Sequence, residues 1–88
     1  MHNRDAIGKE VIGADAWRMG TVARLAVDPT TWQVTAIEVG LDESVVQELR
    51  TKGITPSSPL AIPIDRVEGI SDKLVLRLKK EELADLVT

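Results

Sequence analysis

What most constrains this chain is a two-residue rhythm that never runs long. In "RMGTVARLAVD", Met19, Thr21, Ala23, Leu25 and Val27 fall on one face, with Val22 on the other. In "QVTAIEVGL", Ile37, Val39 and Leu41 alternate with Ala36, Glu38 and Gly40. Leu60, Ile62 and Ile64 alternate with Ala61, Pro63 and Asp65, and Leu74, Leu76 and Leu78 alternate in a last run. Alternation of this kind is the mark of a half-buried strand. Glycine, Asp-Pro or polar turn signals punctuate the runs about every ten residues. The pattern predicts a mainly β fold: five to six short antiparallel strands forming a small β-barrel or curled sheet. A barrel closes its own edges, which matters where the core is too small to tolerate stray pairing.

Local signals refine this picture. "GKEVIGADAW" gives a short apolar run, Val11 and Ile12, followed by a turn in which Asp15 hydrogen-bonds its own backbone. Val22 breaks the alternation of its run and points to a β-bulge near Gly20 or Arg24. Asp28-Pro29 opens the next turn. Pro63 cannot donate a ladder hydrogen bond, which predicts an edge strand or a gap in the ladder there. Over 43–52 the period changes: Val45, Val46 and Leu49 sit at helical spacing. Ser44 with Gln47 fits a capping box and Gly53 fits the helix stop. A C-terminal helix is expected near 79–87, with Leu83, Leu86 and Val87 on one stripe and Glu81 and Glu82 complementing its dipole.

Eighty-eight residues make one domain, 1–88, with a thin margin of buried surface. There is no cysteine, hence no disulfide and no thiolate metal site. There is no Phe or Tyr and there are two Trp, so Val, Ile, Leu and Ala must fill the core. Stability must come from that core or from a partner subunit. A net charge of −3 repels phosphate backbones and speaks against direct nucleic-acid binding. No apolar run approaches the ~20 residues of a membrane span, and the N-terminus lacks a secretory pattern. A cytoplasmic protein is the simplest expectation.

Little in the chain suggests catalysis. The single histidine, His2, is expected to be solvent-exposed and idle in a frayed terminus. Paired carboxylates such as Asp65 and Glu68, or Asp28 and Asp42, would need a pocket that shifts a pKa. A domain this small has little room for the usual ~300 Å³ or more. Neither a phosphate loop nor an EF-hand spacing is present. No metal, no cofactor and no enzymatic activity are therefore expected. Asp65, Arg66, Glu68, Asp72 and Lys73 crowd into nine positions. They read as strand–turn–strand closure, with Asp72 and Lys73 in the turn and the others solvated or paired across strands. Trp17 and Trp32 each have two readings: a large cap on a core of small residues, or an exposed anchor for a partner. The stripe of Leu83, Leu86 and Val87 either folds back on the sheet or docks on a second subunit. Those five residues are the candidate protein-binding positions.

Taken together, Gly8, Lys9 and Val11, then Asp15, then Arg18, Met19, Gly20 and Val22, then Val27 and Asp28 resemble the front half of a PRC-barrel domain. "IPIDRVEGISDKLVL" resembles that family's closing segment. The resemblance covers roughly residues 7 to 78 and is nearest to the stand-alone archaeal type. It implies a small β-barrel serving as a non-enzymatic protein-interaction or adaptor module. Stand-alone archaeal members include partners of the SepF–FtsZ cell-division machinery, which implies a SepF-like partner; the thin core and the apolar C-terminal stripe lead us to expect a homodimer. The alternative is a ribosome-maturation or RNA-metabolism accessory factor, by analogy with RimM. The membrane helix of the reaction-centre H subunit and the N-terminal domain of RimM have no counterpart here. The family has no catalytic motif to carry over.

Overall fold

The structure, a computed structural model, describes residues 6–87; His2 lies outside the described residues. Six strands build one sheet: β1 (Glu10–Ile12), β2 (Arg18–Val27), β3 (Val34–Leu41), β4 (Leu60–Pro63), β5 (Val67–Ile70) and β6 (Leu74–Leu76). Helix α1 (Glu43–Thr51) follows β3 and helix α2 (Lys80–Val87) follows β6. Short 3-10 turns occupy Ala14–Ala16 and Ile64–Arg66. The mainly β class and both helices match the sequence reading.

Two features of the expected barrel differ. The sheet is open, in the order β4-β3-β2-β1-β6-β5, with β4 and β5 at its edges. The inner face that a closing strand would cover is filled by Val45 and Leu49 of α1 and Leu83 of α2, which share one core with the strands. The strands are also not all antiparallel: β1 pairs parallel with β6, Val11 facing Leu74 and Ile12 facing Val75. The hairpin with β5 sets the direction of β6, and β1 accepts it in that direction.

Bulges decide which side chains of β2 reach the core. The β1–β2 register skips Met19, and the β2–β3 register skips Ala23. Met19 and Val22 are buried whereas Ala23 faces solvent. The simple alternation through Thr21 and Ala23 is broken by the inserted residues, each of which rotates the following side chains to the other face. On β3 no such shift intervenes near the centre, and Ile37 and Val39 are buried as expected. Pro63 ends β4, an edge strand. The 3-10 turn that follows breaks the alternation and leaves Ile64 40% exposed.

The caps differ in part from expectation. α1 begins at Glu43, after Asp42, so Ser44 lies inside the helix and cannot cap it. Gln47 instead donates to the Glu43 carboxylate at 2.9 Å. The start of α1 is tied to the sheet, because the Asp42 N–H donates to the Met19 carbonyl at 2.9 Å. Its end follows the sequence: Gly53 takes φ 78°, its N–H donates to Arg50 O, and the Ile54 N–H donates to Leu49 O. That pair of bonds is a Schellman cap, which needs a residue comfortable at positive φ.

Candidate interaction site

The β2–β3 connection is built on Asp28. Its carboxylate accepts the Thr30 N–H at 2.8 Å, and its carbonyl accepts the Trp32 N–H at 2.7 Å. Its own N–H donates to the Gln33 carbonyl at 2.9 Å. The turn so tied holds Trp32 at φ 61°, in the left-handed region. For a bulky residue that conformation costs about 1–2 kcal/mol. The side chain recovers little by burial, since Trp32 is 81% exposed. The most apolar surface in the turn is therefore held in a strained backbone and presented to solvent.

Trp17 is placed differently. It is half-buried and packs against the core, and its indole N–H donates to the Leu78 carbonyl at 3.0 Å. This is the position of a cap rather than of a free anchor. One side of it lines an open cleft of about 340 Å³, with Arg18, Ser44, Val45, Glu48 and Lys80. The sequence left little room for a concavity of that size; it arises where the starts of β2, α1 and α2 meet. Asp65, Glu68 and Asp72 do not line it.

Helix α2 folds back on its own sheet. Leu83 is 2% exposed in the core, and Leu86 and Val87 are partly buried against the same core. Glu82 fastens the first turn, accepting the Lys79 N–H at 2.9 Å, one half of a capping box. That hydrogen bond, helped by the nearby Arg66, holds the Glu82 carboxyl below its ordinary value.

The crowded charges between 65 and 73 do not converge. Asp65, Glu68 and Asp72 face solvent. Arg66 reaches out of its 3-10 turn, toward Glu82 at 3.6 Å and the Arg77 carbonyl at 3.3 Å. Lys73 pairs with Glu10 at 3.1 Å. Asp65 and Glu68 are thus solvated and Asp72 and Lys73 lie in the β5–β6 turn, as the sequence reading has it, while Arg66 finds its partner on α2 instead of across the strands. Glu10 also takes Arg18, whose Nε donates to Asp42 at 2.7 Å. The chain Lys73–Glu10–Arg18–Asp42 stitches the β5–β6 turn, β1, β2 and the start of α1 together. The Lys73 and Arg18 hydrogen bonds hold the Glu10 carboxyl below its ordinary value, and the Asp42 and Glu10 carboxylates raise that of Arg18. Among the described residues, no group of three or more His, Cys, Asp or Glu side chains is gathered as a metal site would need. No described helix is long and apolar enough to cross a membrane.

Exposure of Trp32 is one of its two sequence readings, whereas Ile64 reads in sequence as the apolar end of an alternating strand and is 40% exposed in the structure. Comparison with known proteins adds one finding. The chain matches the family model of the PRC-barrel domain over residues 1–83. A search of curated proteins gave no match.

Proposed function

Because the chain belongs to the PRC-barrel domain family, we propose that it is a non-enzymatic interaction module acting as a homodimeric adaptor between proteins. The observation that carries this reading is Trp32, an 81% exposed indole held at φ 61° by its turn. Its backbone closes the turn, but the indole gains almost no burial within its own chain, and tryptophan is among the residues enriched at binding hot spots. Trp17 lines the open cleft, and Leu86 and Val87 are only partly buried on α2; we take these residues as further positions at which a partner can dock. Leu83 contributes by holding the helix down.

The finer reading is an accessory role in archaeal cell division, in the cytoplasm, with a SepF-like partner. It rests on the resemblance to stand-alone archaeal members of the family. A net charge of −3 weighs against the RimM-like alternative wherever that role requires RNA contact. Affinity capture from the source cells, comparing the wild-type chain with Trp32→Asn and with Leu86→Lys, tests the reading. A SepF-like protein retained by the wild type and lost with either variant is expected. Equal retention by all three would remove these surfaces, and no retention would remove the division role.

A further inference from the structure

The two helices on the open side of the sheet are held differently. α1 brings two buried residues, Val45 and Leu49, and its start is tied to β2 by the Asp42 N–H on the Met19 carbonyl. α2 brings one, Leu83, with Ala84, Leu86 and Val87 only partly buried against the core. A helix satisfies its backbone within itself, so side chains are what tie α2 to the rest of the chain. Two ion pairs add to Leu83: Lys80 with Glu48 of α1 at 2.9 Å, and Glu82 with Arg66 at 3.6 Å. All four of these side chains are 39–50% exposed, and exposed pairs hold weakly and are screened by salt. The chain just before α2 is fixed, by contrast. Leu78 is fully buried, and its carbonyl accepts both the Ala14 N–H at 2.9 Å and the Trp17 indole N–H at 3.0 Å. A firmly pinned segment thus passes, through Lys79 alone, into a helix held by one buried leucine.

We propose that α2 is a strap hinged at Lys79, which comes away from the sheet as a unit while the six strands stay paired. Local openings of this kind occur in elements with few buried apolar contacts, and α2 combines one buried side chain with no share in the strand ladder. An isolated helix of eight residues does not persist in water, so α2 melts as it leaves. The opening withdraws Leu83 from the core and lifts Lys80 off the cleft that it lines with Trp17, Val45 and Glu48. The cleft therefore has a closed form of about 340 Å³ and a wider one. Salt shifts the balance toward the wider form by screening the two ion pairs. The strap goes beyond the adaptor reading and does not rest on it.

Native-state hydrogen exchange of the full chain, read amide by amide by NMR, tests this. In the wild type the amides of Ala84 to Val87 are expected to share one protection factor within about threefold, at least about thirtyfold below those of β2 and β3. Ile37→Val thins the core on β3, which β2 and β1 separate from β6. It should speed exchange in β2 and β3 about two- to tenfold. It should leave α2 within about twofold, because an opening that keeps the sheet folded does not feel a distant sheet substitution. Raising salt from about 0.02 to about 0.5 M should speed α2 about two- to fivefold relative to β2 and β3, and Glu48→Gln should do the same at low salt. Equal acceleration of α2 and the sheet by Ile37→Val would show that α2 leaves only when the whole domain unfolds, and overturns the strap. Protection that rises steadily from Val87 back to Ala84 overturns it too, as the fraying of a chain end. So does an α2 without protection, which is not docked. Exchange of α2 that neither salt nor Glu48→Gln moves overturns the part of the ion pairs and leaves Leu83 as the hold.

Discussion

Gly20 shows how little freedom one position in a small sheet can have. A Cβ there would overlap the Gly40 carbonyl group and come within 3.1 Å of the Leu41 Cα, all backbone of the paired strand. Backbone in a ladder cannot swing aside as a side chain can. Gly20→Ala is therefore expected to cost more than ~2 kcal/mol, at the upper side of overpacking effects. Denaturant unfolding checks this, and an unchanged midpoint would show that β2 and β3 can separate locally. Trp32 is the converse case. Asn tolerates the left-handed region and the indole is exposed, so Trp32→Asn should leave stability unchanged or raise it by up to ~1 kcal/mol. A clear loss of stability would mean that Trp32 packs within its own chain or, where the loss depends on protein concentration, against a second copy.

At the scale of elements, α2 is short and lives by its docking and its first turn. Leu83→Ala should cost ~2–5 kcal/mol, the range for emptying a fully buried leucine site. Against a total of ~5–15 kcal/mol for a domain, that loss should be plain in a thermal melt. Most elements were legible in the residues: alternation marked the strands, Gly53 the end of α1, and Pro63 an edge. The bulge at Ala23 was legible only as an anomaly at Val22, because sequence shows that a register must slip but not which residue is inserted. The capping box at Ser44 failed because Asp42, tied to Met19, starts the helix two residues earlier. The parallel contact of β1 with β6 was illegible, since three-residue strands carry too little pattern to declare a distant partner. The same holds for the candidate site. Two tryptophans in turns looked alike, and only tertiary packing separated the one bonded to Leu78 from the one left in water.

At the scale of the whole molecule, ion pairs join segments that the backbone ladder alone joins weakly. Glu10 and Glu82 both have carboxyls held below their ordinary value in the fold. Their contribution to stability is complete above the unfolded value near 4.5 and is lost as pH falls through the lower folded one. Melting temperature should thus fall as pH drops below about 4.5. Glu10→Gln and Glu82→Gln should each be less stable than the wild type at neutral pH and show a flatter acid decline. A decline of unchanged steepness in both variants would assign acid sensitivity to other carboxylates.

The parallel pairing of β1 with β6 also imposes an order in time. Lys9 reaches the Ser71 carbonyl across 62 residues, and Trp17 reaches Leu78 across 61. At ~5–20 residues per second, a ribosome adds a stretch of this length in roughly 3–12 s. As β2, β3 and β4 are made they can pair on one side of β1, but its other flank has no neighbour and Val11 has no cover from Leu74. The emerging chain thus carries an apolar strand edge until Leu74 and Val75 are made. A pause or truncation before Leu74 would leave behind a half-sheet suited to pairing with other chains.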